Sequence, residues 1–381
     1  MQKATRRGIL AAGIGGIALV AAGGAWRVTR SPDRALEPWQ LDPTPPADIR
    51  LDAFRHAILA PNPHNRQPWV IRLVGDDRAD ISCDLQRRLP VTDPFDRQTT
   101  IGFGTFLETA RIAAAERGFE MAIEPFPEGS DANVLDTRPV ARVQFRKSPR
   151  LAADPLFAQI ALRRSNKEEY DLSRAVSPAA LAQVCADGAD YTHDPSRVAA
   201  LRTEIVRAIE KEMLTHEAHM ESVNLMRIGH REVDANPDGI ELHGPMIEAG
   251  SMFGMVDREQ LADPSSTAFQ QGLDMIHATY GSIPALVWVT TPDNTRLDQL
   301  EAGRRYVRAN LAATAQGLAM HPMSQSLQEY REVQPMYRSV HRLLGAQGSQ
   351  RVQMLARIGY GPGTGPTPRW PLESHLASSS G

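Results

Sequence analysis

An internal repeat is the feature that most constrains how this chain can fold. Residues 111–121 (RIAAAERGFEM) and 310–320 (NLAATAQGLAM) align as the ends of two long helices, each closed by a glycine that can take the left-handed conformation after a helix. A strand ends each half, with ARVQF beginning at Ala141 and ARIGY at Ala356. Helices and strands mix without strict βαβ alternation, so the repeat predicts an α+β fold duplicated within one chain.

The two copies of the repeat differ in length. We assign residues 49–150 to the first half and 151–373 to the second, with 374–381 as a tail. An earlier strand is expected in each half, at 70–74 in the first and at 285–289 in the second, and we match these two strands to each other.

The second half carries an insertion at about 196–280 that the first half lacks. Its pattern is helical, and it is rich in methionine: Met213, Met220, Met226, Met246, Met252, Met255 and Met275. Methionine adapts to irregular apolar surfaces, so the insertion is a candidate lid over a site. Plain core packing is the alternative interpretation of the same residues.

The first 30 residues are typical of a targeting segment. Lys3, Arg6 and Arg7 precede an uncharged apolar stretch at 8–26. The adjacent arginines resemble a twin-arginine export signal, and an apolar stretch of about this length nearly spans a bilayer, so it could remain as an uncleaved anchor. We therefore expect a periplasmic protein, or one anchored in the membrane and facing the periplasm, with 31–48 as a proline-rich linker.

Charge and cysteine content exclude several classes of protein. With 42 Lys and Arg against 45 Asp and Glu, the formal charge is −3, so the chain lacks the basic field that non-specific nucleic-acid binding requires. Its two cysteines, Cys83 and Cys185, are too few for a disulfide framework, a Cys-rich zinc site or an iron–sulfur cluster. We expect no nucleic-acid partner, no metal site, and membrane contact only through the N-terminal segment.

Three polar segments together form one candidate site. Residues 61–69 (PNPHNRQPW) make a loop that ends a helix and enters a strand. Residues 163–167 (RRSNK) group cations with a hydroxyl, a combination that suits a phosphate or the polar edge of a ring. Residues 367–372 (TPRWPL) form a stiff segment that delivers one arginine.

These segments resemble motifs of a known family. APNPHNRQPW, at 60–69, is similar to the flavin loop of the FMN-dependent nitroreductase superfamily, and RRSNK is similar to its phosphate and ring-edge motif. Residues 89–97, 302–325 and 356–373 are similar to the mycobacterial Acg-type branch. The resemblance covers about residues 50–373, with five motifs in order.

The resemblance implies a nitroreductase-like fold in which the two halves form an internal pseudo-dimer carrying one FMN. A single site is implied because the 61–69 loop occurs only in the first half and the 163–167 motif only in the second. The implied FMN-binding residues fall into four groups: Arg163, Ser165 and Lys167 at the phosphate, ribityl chain and pyrimidine edge; Pro61, Asn62, Pro63 and Asn65 over the ring; Pro322, Met323, Ser324 and Gln325, one of whose backbone N–H groups faces flavin N5; and Arg369 at the phosphate. Asn62 and Pro63 stand where the family usually has two serines.

The function implied by the resemblance is ping-pong electron transfer through FMN to a small nitroaromatic or quinone-like acceptor. The flavin does the chemistry, and no side-chain acid or base is required. NAD(P)H is one candidate donor, and a quinol or redox partner is the other, since the periplasm is not expected to supply NAD(P)H. The alternative is a non-catalytic flavin-sequestering protein whose lid blocks the site.

Overall fold

The computed structural model describes residues 30–131 and 133–377, so the export-signal prediction lies outside the described residues. The strands are β1 Trp69–Val74, β2 Arg78–Cys83, β3 Phe119–Pro125, β4 Ala141–Lys147, β5 Asp190–Thr192, β6 Met226–Ile228, β7 Ile240–Leu242, β8 Ala285–Thr291, β9 Ala319–Pro322 and β10 Arg351–Gly359. The helices are α1 Asp33–Leu36, α2 Ile49–Ala57, α3 Arg97–Glu116, α4 Pro178–Val184, α5 Pro195–Leu214, α6 His216–Leu225, α7 His230–Ala235, α8 Pro245–Met252, α9 Arg258–Ala262, α10 Thr267–Gly281, α11 Arg296–Ala315 and α12 Gln334–Leu344. Short 3-10 helices lie at Glu37–Trp39, Pro63–Asn65, Leu85–Arg87, Pro155–Gln159, Ser324–Leu327, Arg331–Val333 and Leu372–His375.

Two antiparallel four-stranded sheets carry the repeat. One has the strand order β1-β2-β4-β3 and the other β5-β8-β10-β9. The predicted α+β class is confirmed, and the matching strand orders are consistent with a duplicated domain. The sequence analysis matched the strand at 70–74 with the strand at 285–289, and this match is wrong. In the sheets, β2, which leads into α3, holds the position of β8, whereas β1 lies at the edge as β5 does.

The two long helices, α3 and α11, cross at a pair of glycines. A Cβ atom on Gly104 would lie 2.1 Å from the carbonyl oxygen of Leu300, and one on Gly303 would lie 2.1 Å from that of Ile101. Both obstacles are backbone atoms, which cannot rotate away, so only glycine permits this approach. The crossing fixes the first half against the second.

The cores on either side of this crossing are shared between the halves. Leu300 and Val307 of α11 belong to the apolar core built on the first sheet, whereas Ile101 of α3 packs into the core of the second. Both helices end as predicted, with Gly118 and Gly317 in the left-handed region at φ +69° and +66°. The halves therefore form one continuous packed body.

The insertion is helical, as predicted, and its parts pack differently. Helix α5 lies in the core, where Leu201 and Ile205 pack with Trp288 and Leu355. The seven methionines named above are not buried: Met213, Met220 and Met226 are half-buried, and Met246, Met252, Met255 and Met275 are exposed. Core packing therefore accounts for α5 but not for the methionines.

Within the described residues, no helix combines the length and apolarity needed to cross a membrane.

A buried carboxyl joins the insertion to the second half. Glu212, at the end of α5, is 5% exposed and accepts hydrogen bonds from Gln328 Nε2 at 2.7 Å and Ser222 Oγ at 3.3 Å. None of the described cations lies within ion-pair distance of this carboxyl. Burial raises the pKa of Glu212 to about 7, because desolvation outweighs the two hydrogen bonds.

The glycine crossing makes a stability prediction. We expect Gly303→Ala or Gly104→Ala to lower the free energy of unfolding by roughly 1–3 kcal/mol or more, because the methyl group forces the helix backbones apart. Gly272→Ala in α10 is the matched control, since its Cβ would meet no atom within 4 Å. Urea unfolding monitored by circular dichroism measures both changes. Equal stability of Gly303→Ala and Gly272→Ala would contradict the close crossing.

The buried carboxyl makes a pH prediction. Between pH 4.5, its ordinary pKa, and about 7, the unfolded chain releases the Glu212 proton while the folded chain keeps it. Stability due to this group therefore falls as pH rises through that window and stays low above it. We expect Glu212→Gln to raise stability at pH 8 by roughly 1–3 kcal/mol while changing it little at pH 4.5. Exposed Glu217→Gln is the control, and an effect independent of pH would refute the assignment.

Candidate functional site

The 61–69 loop has an unusual backbone. His64, Asn65 and Gln67 all lie in the left-handed region, at φ 47°, 51° and 50°. Such conformations cost side-chain-bearing residues free energy, and a cluster of them indicates a functional segment. The Asn62 side chain stabilises this turn by accepting a hydrogen bond from the Gln67 N–H at 2.7 Å.

Residues of the insertion hold this loop in place. The fully buried Gln67 donates from Nε2 to the carbonyl oxygen of Pro237 at 2.7 Å, and Arg66 pairs with Asp238 at 2.6 Å. The N–H of Gly239 donates to the carbonyl oxygen of Asn65 at 3.3 Å. Residues 237–239 therefore contact the loop directly.

Two predicted arginines meet beside the loop. Arg163 and Arg369 are each 2% exposed, and both donate to the carbonyl oxygen of Leu59, at 2.9 and 3.3 Å. Arg369 also donates from Nη1 to Asn65 Oδ1. The structure thus brings together one predicted residue from each of the three candidate segments.

Within the described part of the chain, neither guanidinium has a carboxylate partner at ion-pair distance. Arg163 Nη1 and Arg369 Nε are buried without any hydrogen bond. Burial lowers the pKa of Arg163 to about 10, and burial together with the charge of Arg163 lowers the pKa of Arg369 to about 9. Two cations held together without a counterion are costly unless an anion completes the site.

A tryptophan that the sequence analysis missed packs on these arginines. The guanidinium carbons of Arg163, Arg164 and Arg369 lie 5.9, 4.5 and 5.4 Å from the ring centre of Trp39. Trp39 is 9% exposed, although it lies in the segment assigned as a linker. The sequence did contain a signal: a tryptophan within an otherwise polar segment indicates that the segment packs on the protein, since large aromatic side chains are mostly buried.

Ser165 and Lys167, the other predicted residues of the 163–167 motif, are more open. Ser165 is half-buried, and its hydroxyl has no partner among the described residues. The half-exposed Lys167 ammonium lies 3.3 Å from Glu241. Its charge contributes to lowering the pKa of both His64 and His321, although burial is the larger cause for each. Lys167 therefore lies between the 61–69 loop and strand β9.

The predicted 322–325 segment follows β9. Pro322 pairs with Ala356 of β10, and the N–H of the buried Met323 already donates to the carbonyl oxygen of Leu355 at 2.8 Å. Ser324 begins a 3-10 helix, and Gln325 accepts a hydrogen bond from the Tyr280 hydroxyl at 2.9 Å. The Met323 N–H is committed to the sheet, so a donor toward a ligand has to come from Ser324 or Gln325.

Arg357 on β10 joins this segment to the 163–167 motif, a role that the sequence analysis also missed. Its guanidinium is fully buried and donates to the carbonyl oxygens of Glu168 and Thr279, at 2.7 and 2.8 Å. Nε donates to His321 Nδ1 at 3.3 Å. The 163–170 segment and β9 are thereby fixed relative to each other.

The site suits an organic anion better than a metal ion. Paired guanidinium groups match the oxygens of a phosphate, and the nearby hydroxyl of Ser165 is free to add a contact. Among residues 30–131 and 133–377, no three His, Cys, Asp or Glu side chains are grouped to hold a metal ion.

Comparison with known proteins finds similarity to proteins that carry nitroreductase names. No family model matches the chain. A Mycobacterium tuberculosis protein provisionally named an NAD(P)H nitroreductase is 26% identical over 343 residues, which cover 86% of this chain and 93% of that protein. Another from the same organism, the similarly named Acg protein, is 31% identical over 122 residues, 32% of this chain and 35% of that protein.

Among solved structures, a provisionally named nitroreductase from Anabaena variabilis matches 90% of this chain and 99% of its own, at 11% identity and a TM-score of 0.41. The sequence similarity extends over almost the full length of the first relative. The chain is thus similar to proteins that carry nitroreductase names.

Proposed function

We propose that this chain is an FMN-binding oxidoreductase of the nitroreductase type, with one FMN held between its two halves. The observation that carries the proposal is the buried pair Arg163 and Arg369, which has no carboxylate partner among the described residues and has free N–H groups. The FMN phosphate is an anion of matching geometry. The nitroreductase names of the sequence relatives support the same conclusion.

The chain's own residues would bind and orient the cofactor. Arg163, Arg369 and the Ser165 hydroxyl would hold the phosphate, and the Lys167 ammonium would lie at the polar edge of the ring. The 61–65 loop would cover the ring, and an N–H of residue 324 or 325 would face N5. When bound, FMN supplies two-electron transfer between a donor and an acceptor.

A single site per chain is supported by what replaces the arginine pair in the first half. Residues 48–51, at the start of α2, are the first-half segment in which we would expect a second phosphate motif. Arg50 there is paired with Asp48 at 2.7 Å and also donates to the carbonyl oxygens of Gly75 and Arg78, at 2.6 and 3.0 Å. This cation is neutralised and structural, in contrast to Arg163. We therefore infer that the chain is an internal pseudo-dimer with one site.

The acceptor class we propose is a small nitroaromatic or quinone-like molecule. The donor is NAD(P)H, as the names of the relatives suggest, or a quinol or redox partner if the protein is exported. Export by the twin-arginine route, to the periplasm or to a membrane anchor facing it, remains our proposal from the sequence.

The alternative function is flavin storage without catalysis. It is favoured by the way residues 237–239 contact the 61–69 loop and by the carboxylate of Glu221, which accepts hydrogen bonds from the N–H groups of Val91 and Thr92 at 2.9 Å. An insertion anchored in this way could act as a lid that blocks a substrate. Steady-state reduction of a nitroaromatic or a quinone would refute storage, whereas flavin that is reduced by dithionite but never turns over would support it.

The arginine pair makes an affinity prediction. We expect Arg163→Ala or Arg369→Ala to weaken FMN binding by roughly 30- to 3,000-fold, about 2–5 kcal/mol, because each removes a buried charge-assisted contact. The exposed Arg174, which lies 3.6 Å from the ring centre of Tyr360, provides the matched control Arg174→Ala. Fluorescence titration of the apoprotein measures the dissociation constants. Equal affinity for all three variants would remove the phosphate assignment.

The pseudo-dimer makes a stoichiometry prediction. We expect one FMN per chain by absorbance after denaturation, with the bound flavin bleached by NADPH or, failing that, by a quinol under anaerobic conditions. Two FMN per chain would disprove the single-site arrangement. No FMN after reconstitution would disprove the proposed function and leave only the fold.

A further inference from the structure

Residues 31–40, here called the N-terminal strap, are tied to the candidate phosphate site at several points. The Ala35 carbonyl oxygen accepts a hydrogen bond from the Arg369 N–H at 2.8 Å, and the Ala35 N–H donates to Asp234 Oδ1 at 2.9 Å. Trp39 Nε1 donates to the carbonyl oxygen of Thr367 at 2.7 Å. The strap therefore connects the insertion, through Asp234, with the C-terminal segment that carries Arg369.

The Trp39 ring contacts the arginines from a direction that does not compete with anion binding. A guanidinium stacks on an aromatic ring through its flat face, whereas its N–H groups point outward in its own plane. Arg163 Nη1 and Arg369 Nε have no hydrogen-bond partner and are buried beside this ring. Stacking and anion binding therefore use different directions of the same groups, and the two can occur together.

We propose that Trp39 is a binding residue of the anion site and that the strap is its outer wall. The ring orients Arg163 and Arg369 and excludes water, so a bound phosphate group leaves only when the strap is displaced. The inference rests on the proposed function for the identity of the ligand, a phosphate monoester such as FMN. It goes beyond that function because it assigns a binding role to the N-terminal segment.

The competing explanation is that Trp39 only fills space in the first core, which it also touches. Trp39→Leu keeps an apolar side chain but removes the aromatic face, and Trp39→Phe keeps a ring but loses the hydrogen bond to Thr367. Asp234→Ala loosens the strap at its other end, without touching the arginines. Exposed Asp33→Asn, within the strap, is the matched control.

The experiment measures release of FMN from the full-length chain, through the rise in flavin fluorescence after dilution. We expect Trp39→Leu to release FMN at least about tenfold faster than wild type, since a desolvated cation–π contact contributes up to about 2 kcal/mol. Asp234→Ala should accelerate release in the same direction, Trp39→Phe by less than Trp39→Leu, and Asp33→Asn not at all. Thermal unfolding of each apoprotein records the packing loss separately.

The outcomes separate this inference from the proposed function. If wild type binds FMN and Trp39→Leu lowers thermal stability without accelerating release, the inference fails and the function stands. If wild type does not bind FMN, inorganic phosphate is the second probe. If phosphate raises the melting temperature of wild type but not of Trp39→Leu, the strap is the wall of an anion site that does not bind FMN. If phosphate affects neither protein, both this inference and the proposed function are overturned.

Discussion

The close crossing of α3 and α11 at Gly104 and Gly303 is the constraint on which the rest of the structure depends. Because the helix backbones touch, each half completes the apolar core of the other, and the two sheets take fixed positions. The same arrangement brings the loop that follows α2 against residues 163–167, although these segments are about 100 residues apart. The helix packing thus brings the segments of the candidate site together.

The protein contains buried cations that stabilise it and buried cations that do not. Arg50 and Arg357 are fully satisfied by a carboxylate or by carbonyl oxygens; Arg50 fixes α2 to the β1–β2 hairpin, and Arg357 fixes the 163–170 segment to β10. Arg163 and Arg369 are equally buried but are left with free N–H groups. A buried charge of this kind costs stability. The chain therefore carries a destabilising pair at a place where a bound anion would offset that cost.

The sequence predicted the features that depend on local pattern. The α+β class and the glycine-closed helices follow from periodicity and from the left-handed conformation at Gly118 and Gly317. Strand β2 was missed because its interior holds Asp80, which is buried only because Arg72 and Arg142 pair with it from neighbouring strands. The role of Trp39 was missed for a related reason. Its partners, the arginines of the 163–167 motif and Arg369, are distant in sequence, and no local pattern indicates that they contact it.

The position of Trp39 and Arg369 near opposite ends of the chain has a consequence for biosynthesis. Trp39 and its hydrogen-bond partner Thr367 are separated by 328 residues, so at about 5–20 residues per second the ribosome needs roughly 16–66 s to produce the second after the first. During that interval Trp39 has been made, but its partners Thr367 and Arg369 have not. A chain that ends before Arg369 would lack one of the two buried arginines of the candidate site.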